Sequence, residues 1–358
     1  MTTAQEPVSC YPIFEAIGSP RELGRAHGEA ARDLIRGFLD YLKHSLNFSD
    51  IELRRRAARF EPLFHEHCPH LLTETHGLAE GANIHRLDAL ALQVRGELAG
   101  LRDEACTAFA VNGSRTSDGG VLIGQNSDNP PEMMHFGYML RLIPDHGPRI
   151  LMWTFGGMLG YHGINEHGVA HFANALGGGP EWKFALPHYP LKRVLLEQRN
   201  AVGVRNVLRS VPVCSNGNYV MSLGAGQITD VELTSAGPME LPDDSSGIIV
   251  HTNHYRCSDY ACEENFLHSL PDSFERQTRM ESLLRGTNTI TVSDLQRFLS
   301  DHAGAPGSIC RHQNAEDHHP MLSGHGHTVA ALIAEADEGK LHVARGNPCT
   351  SSFATYSL

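Results

Sequence analysis

The stretch "ACTAFAVNGSRTSDGGVLIGQNSDN", residues 105–129, decides how this chain is read. Two apolar runs flank a connection rich in Gly, Ser and Asp, the pattern of a strand, a turn and a second strand. Upstream, residues 21–101 have a helical texture. "RELGRAHGEAARDLIRGFLDYLKHSL" sets Leu23, Ala30, Leu34, Phe38 and Leu42 on one stripe at spacings of four and seven. "IELRRRAARFEPLFHEHC", "PHLLTETHGLAEGANI" and "HRLDALALQVRGEL" continue as helices, with Pro69 in a first turn.

Downstream of Cys106 the strand texture persists in "YMLRLI", "RILMWTF", "VAHFANAL", "NYVMSL", "ITDVELTSAGPMEL" and "GIIVHTN". Helices are expected over 187–200, 202–210, 274–285 and 293–302, and a closing hairpin, "TVAALIAEADEGKLHVARG", turns at Asp337–Gly339. The class is α+β, with stacked antiparallel sheets covered by helices. Residues 1–105 form a helical N-terminal region and 106–358 the strand-rich remainder. No Pro/Gly/Ser-rich linker separates them, so one compact body is expected.

The 358 residues allow a substantial core, and 41% hydrophobic with 20% charged residues suits a globular chain. A formal charge of −12 argues against an electrostatic hold on nucleic acid or anionic membrane. No apolar run reaches the length of a membrane span, and "MTTAQEPVSC" lacks the pattern of a secretory signal, so a cytoplasmic location is expected. The eight cysteines contain no C-x-x-C pair, and a chain of this size needs no disulfide staples.

Histidine clusters raise the question of a metal. "HEHCPH" offers His65, His67, Cys68 and His70, and "RHQNAEDHHPMLSGHGH" offers His312, His318, His319, His325 and His327. Neither has the spacing of a familiar zinc site, and no metal ligand is assigned. The glycine-rich runs fit neither G-x-G-x-x-G nor G-x-x-x-x-G-K-[ST], and there is no G-x-S-x-G elbow.

The thiol of Cys106 remains. A catalytic cysteine needs a base, oxyanion donors and groups that fix geometry. At the start of a strand, a cut between Ala105 and Cys106 would supply the base, because a terminal α-amine has a pKa of about 7.7–8.0. The small neighbours Ala105 and Thr107 leave the sulfur room to attack the preceding carbonyl. On its own, Cys106 reads more readily as a buried structural thiol.

The wider pattern resembles the acyl-coenzyme A:6-aminopenicillanic acid acyltransferase (isopenicillin N acyltransferase) family of N-terminal-nucleophile cysteine hydrolases, and more distantly the cholylglycine hydrolases. The matching features are Cys-Thr, a hairpin, then G-x-N-x-D at Gly124, Gln125, Asn126, Ser127 and Asp128. "GINEHGVAHFANAL", "IIVHTNHY", "DHAGAPGSICRH" and the closing hairpin follow in order, and "GLAEGANI" fits the propiece.

The resemblance implies a four-layer αββα sandwich and a precursor that cuts itself before Cys106 into associated α and β chains. Cys106 becomes the nucleophile, its amine the base, and Asp128 the carboxylate that orients the amine. Asn253 becomes the oxyanion donor, and Arg311 a cation favouring thiolate. Thr107, Gln125, Asn126 and Asn174 become substrate contacts. The cholylglycine hydrolases carry arginine where Gln125 stands, which leans the chain toward the acyltransferase branch.

Asp128 also suits a turn cap, Asn253 a satisfied buried amide, and Arg311 an ordinary ion pair. The expected activity is cleavage or transfer of the acyl group of a small acylated amine or amino acid, from an amide or a thioester. No cofactor is implied. The alternatives are a coenzyme A-dependent N-acyltransferase with little hydrolysis, and a non-enzymatic metal binder using the loop 312–327. A homo-oligomer stays open.

Overall fold

Two β-sheets lie face to face between helices in the computed structural model, which describes residues 10–99, 105–242, 245–257, 259–260, 272–314 and 326–358. Strands are numbered along the chain. The larger sheet has the order β1 (Ile13–Gly18), β4 (Gly137–Pro144), β5 (Ile150–Phe155), β6 (His162–Asn165), β7 (Val169–Ala175), β8 (Gly217–Gly224), β9 (Gln227–Thr234), β10 (Gly237–Glu240). The smaller has the order β11 (Ile248–His251), β2 (Ala105–Val111), β3 (Leu122–Asn129), β12 (His327–Glu335), β13 (Lys340–Arg345), β14 (Phe353–Ser357).

Among the described residues, seven helices precede β2: α1 (Pro20–Ala30), α2 (Arg32–Leu46), α3 (Asp50–Ala58), α4 (Glu61–His67), α5 (Pro69–Ala82), α6 (Arg86–Gln93) and α7 (Arg95–Ala99). Later come α8 (His188–Leu196), α9 (Ala201–Ser210), α10 (Ser273–Arg285) and α11 (Val292–Leu299). Strands β2 and β3 pack on β7 and β8, which joins the sheets. Helices α8 and α9 cover the larger sheet, and α10 and α11 the smaller. The result is the expected αββα order. Among the described residues, no helix is long and apolar enough to cross a membrane.

Strand periodicity sorts the side chains of β2 between two cores. Ala108 and Ala110 belong to the main cluster between the sheets, whereas Phe109 and Val111 pack with Met280, Leu284, Leu295 and Phe298 under α10 and α11. Because neighbours along a strand point to opposite faces, Cys106 shares the inter-sheet face and Thr107 the helix face. The same rule sends Gln125 of β3 toward the other sheet, with Ile123, and Asn126 and Asp128 toward the helices, with Leu122.

Three sequence expectations change in detail. The single apolar stripe through Ala30 breaks there: Ala30 is exposed, the helix restarts at Arg32, and the buried line of α2 runs Ile35, Phe38, Leu39, Leu42. "ITDVELTSAGPMEL" is two strands, β9 and β10, folded at Ser235–Gly237. The N-terminal region is not wholly helical, since β1 enters the larger sheet parallel to β4.

That region is also tied to the remainder by close packing. A Cβ at Gly24 of α1 would run into the Glu74 carbonyl of α5, so only glycine permits this helix approach. Glu74 then pairs with Arg193 of α8 at 2.9 Å, both fully buried. Gln93 bridges to the 157–159 turn, donating to Gly157 O and accepting from Leu159 N, each at 2.9 Å.

Candidate active site

Cys106 is wholly buried near the head of β2, and the ladder around it is incomplete. On one side it stands opposite Ser127 of β3. On the other, β11 ends at His251, which faces Ala108, so no strand reaches Cys106. Side chains complete the ladder instead. The Cys106 N–H donates to Asn253 Oδ1 at 3.1 Å, and its carbonyl accepts from Arg276 Nη1 at 2.6 Å. The chain past β11 carries Asn253 to this position, with its backbone N–H on Ser273 Oγ at 2.9 Å.

Arg276 was not anticipated from sequence. Its guanidinium also donates to Thr107 Oγ1 at 3.0 Å, to Asn253 Oδ1 at 2.9 Å, and through Nε to Asp272 at 2.8 Å. A signal was present: α10 buries Ser273, Arg276, Gln277, Met280 and Leu284, so an arginine occupies the inward stripe. A cation placed there needs buried acceptors. Asp272, just ahead of α10, was missed as well.

Arg311 joins the cluster from the segment before β12. It donates to Asp272 and lies 3.7 Å from Asp128 through Nε. Asp128 accepts from the Thr328 hydroxyl at 2.7 Å. Two arginines thus face two aspartates in a buried layer between the smaller sheet and α10. Burial pushes the Asp128 carboxyl up to about 6, and the Arg311 and Arg276 charges and the Thr328 hydroxyl pull back against it. Across the ladder Asp128 stands opposite Ala105, the residue ahead of the thiol.

On the inter-sheet face lies a second polar group. Gln125 Nε2 donates to Asn174 Oδ1 and Ala173 O, both at 2.8 Å. Asn174 passes the chain on to Asn218 at 2.8 Å and to His251 O at 3.1 Å. Gln125 Oε1 is buried with no hydrogen-bond partner among the described residues. By contrast, Asn126 points to the helix layer and donates to Leu299 O and Ile309 O at 2.8 Å.

The structure therefore gathers the expected residues but divides them. Cys106, Gln125 and Asn174 share the inter-sheet side; Thr107, Asn126, Asp128 and Arg311 share the helix side. The Oδ1 of Asn253 meets the Cys106 nitrogen, while its Nδ2 donates to Ala175 O at 3.0 Å. Two donors, Cys106 N–H and Arg276, fix that orientation of the amide. Of the metal candidates, His318, His319 and His325 lie outside the described residues. His65, His67, Cys68 and His70 form no ligand group among the described residues, whereas His312 does, in company with His302, Cys310 and Cys349.

The αββα layer order is that of the N-terminal-nucleophile hydrolase fold. The profile of the "Acyl-coenzyme A:6-aminopenicillanic acid acyl-transferase" family matches residues 114–349, and the chain belongs to that family of acyltransferases and acylases. The matched span begins after Cys106. Over 302 residues the chain is 28% identical to the "Acyl-coenzyme A:6-aminopenicillanic-acid-acyltransferase 40 kDa form" of Emericella nidulans, covering 82% of this chain and 83% of the relative. Among solved structures it is similar to a conjugated bile acid hydrolase from Clostridium perfringens, at 14% identity and TM-score 0.42 over 71% of this chain and 97% of the other. It is also similar to penicillin V acylase from Agrobacterium tumefaciens, at 10% identity and TM-score 0.44 over 72% and 79%.

Proposed function

We propose that the chain is a self-processing cysteine amidohydrolase or acyltransferase whose nucleophile is Cys106. One observation carries the reading: both backbone polar groups of Cys106 on the open side of β2 are held by side chains, Asn253 and Arg276, and not by a strand. Backbone held this way can be cut without unzipping a ladder.

In the processing step Cys106 Sγ attacks the Ala105 carbonyl carbon. The C–N bond breaks as the nitrogen takes a proton, leaving the Ala105 acyl group on sulfur. Water hydrolyses that thioester, giving a carboxylate at Ala105 and a free thiol and α-amine on Cys106. Asn253 Oδ1 keeps hold of the nitrogen, and Asp128, opposite Ala105, supplies the carboxylate that orients the new amine. The N-terminal piece stays bound through β1 and the Glu74–Arg193 pair.

In turnover the amine takes the thiol proton and the thiolate attacks the acyl carbon of an amide or thioester. Asn253 Nδ2 faces the tetrahedral oxygen, the leaving group takes the proton back from the ammonium, and an acyl-Cys106 thioester forms. Water completes hydrolysis, or an amine completes transfer. Gln125 and Asn174, fixed on the thiol's side, contact the substrate, and the unpartnered Gln125 Oε1 suits an amide N–H. Thr107, Asn126 and Arg311 act from the opposite face as positioning residues. The Emericella relative is named for acyl-coenzyme A and 6-aminopenicillanic acid, which supports a small acylated amine as substrate and a coenzyme A thioester as an alternative donor.

Intact-mass measurement with N-terminal sequencing tests this. Wild type should give two chains, residues 1–105 and 106–358, the second beginning Cys-Thr-Ala-Phe. Cys106→Ala should stay single and fail to cleave acyl amides. Acyl turnover by material lacking a Cys-Thr-Ala-Phe terminus would overturn the proposal.

A further inference from the structure

Four side chains of metal-ligand type meet beside Arg311, in a group the proposed reaction does not use. They are His302, just past α11; Cys310 and His312, the two neighbours of Arg311; and Cys349, in the connection between β13 and β14. All four ligand atoms lie within 4.8 Å of one another, and no second group of this kind occurs among the described residues.

The separations have a specific meaning. Cys310 Sγ and Cys349 Sγ are 3.7 Å apart, and the two imidazole Nε2 atoms 3.1 Å. His312 Nε2 lies 3.8 Å from Cys310 Sγ and 3.2 Å from Cys349 Sγ. Zinc binds thiolate sulfur at about 2.3 Å and imidazole nitrogen at about 2.0–2.1 Å, in a tetrahedron. The edges of such a tetrahedron are about 3.8 Å for sulfur to sulfur, about 3.6 Å for sulfur to nitrogen and about 3.3 Å for nitrogen to nitrogen. These four of the six edges fall close to those values, and the two from His302 to the sulfurs lie within 4.8 Å. A disulfide, in contrast, needs sulfurs at about 2.0 Å.

We propose that His302, Cys310, His312 and Cys349 bind one zinc ion in a closed, structural Cys2His2 site. Four protein ligands fill the tetrahedron and leave no position for water or substrate, so the ion ties segments together and takes no part in chemistry. Binding releases both thiol protons and uses neutral imidazoles, so a dication meets two thiolates and the site carries no net charge. The surroundings are those of a supported site. Asn347 Nδ2 donates to Cys310 Sγ at 3.4 Å, the outer-shell contact that orients a thiolate ligand. The same group holds Arg311 O at 2.7 Å, and Cys310 N–H donates to Asp301 O at 3.0 Å beside His302. The ion would anchor both neighbours of Arg311, and so fix the segment that carries this guanidinium to Asp128 and Asp272. The spacing H-x7-C-x-H with a distant fourth ligand matches no familiar motif, which is why sequence alone does not reveal it.

The proposal stands independently of the acyl chemistry, and its test does too. Full-length protein, purified without chelator and dialysed against zinc and then metal-free buffer, is analysed for metal by mass spectrometry. One zinc per chain is expected, retained in Cys106→Ala and lost in Cys349→Ser and in His302→Gln. Both of those positions are exposed, so the variants should fold, as circular dichroism checks. Cobalt in place of zinc should give tetrahedral d–d bands with a thiolate charge-transfer band that weakens in Cys349→Ser. Absence of retained zinc in wild type, equal zinc in the two ligand variants, or a Cys310–Cys349 disulfide found by peptide mapping of fresh protein would each overturn the assignment.

Discussion

Replacing Asp128 by asparagine keeps the side-chain size and the acceptor for the Thr328 hydroxyl while deleting the ionisation. In the folded chain burial lifts this carboxyl from its ordinary 3.8 to about 6, against the pull of Arg311 and Arg276. A gap of roughly two pH units corresponds to about 3 kcal/mol between the protonated and ionised forms. The folded chain therefore holds the proton more tightly than the unfolded chain does. Stability falls with rising pH wherever the folded state carries the extra proton. The contribution of Asp128 is complete below pH 3.8 and is lost as pH rises through about 6, the reverse of an exposed, salt-bridged aspartate. An asparagine at this position has no such proton and gives a flat contribution. The stability of the aspartate chain relative to the asparagine chain should thus drop by about 3 kcal/mol from about pH 3 to about pH 7. Any fixed cost of an amide beside Arg311 shifts the difference but not its slope. Urea denaturation of Cys106→Ala and Cys106→Ala/Asp128→Asn measures this without interference from processing. Other groups, such as Glu97, which burial raises to about 7, titrate in both chains and cancel. Parallel curves would refute the reasoning, and so would a difference that grows with pH, since the arginines would then be holding Asp128 ionised.

Two further outcomes follow from packing and charge. Arg276→Met should destabilise the chain by about 3–5 kcal/mol, because it leaves Asp272, Asn253 Oδ1 and the Cys106 carbonyl short of a buried donor. It should also slow appearance of the Cys-Thr-Ala-Phe terminus on a gel time course, with Arg276→Lys intermediate because an ammonium cannot fork between these acceptors. Gly24→Ala should cost about 1–3 kcal/mol and lower Tm, since its Cβ meets the Glu74 carbonyl and α1 must move off α5; an unchanged Tm in calorimetry would contradict that close approach.

Much of the fold was legible because its elements carry strong local signals. The hairpin of β2 and β3 and the closing pair β12–β13 have long apolar runs around Gly- and Asp-rich turns, and both appear as read. Helices α8 to α11 likewise fall near their expected ranges. What escaped was weak or non-local. Strand β1 is a parallel edge with Ile13 and Ile17 exposed at 41% and 57%, so it lacks the alternation that marks a strand. Its place is set by pairing with residues more than a hundred positions away. The helix break at Ala31 is similar in kind: the heptad-like spacing of Leu23 to Leu42 continues through it, and only burial distinguishes the true stripe.

The site divides along the same line, and the division bears on how the thiol could work. Residues within one hairpin were legible, because the period of two assigns Cys106 and Gln125 to one face and Thr107, Asn126 and Asp128 to the other. The groups that hold the Cys106 backbone come from 147 and 170 residues downstream, and nothing local announces them. An arginine on the inward stripe of α10 says that buried acceptors exist but not which ones. Once Arg276 and Arg311 are placed, the two faces take different tasks. In the proposed function the sulfur, on the inter-sheet face that it shares with Gln125, is the group that meets the acyl substrate. The nitrogen donates to Asn253, and Asp128, opposite Ala105, stands on the helix side. In the proposed mechanism this one residue acts as nucleophile on the inter-sheet face through its sulfur and exchanges its proton through a nitrogen that Asn253 holds at the open side of β2.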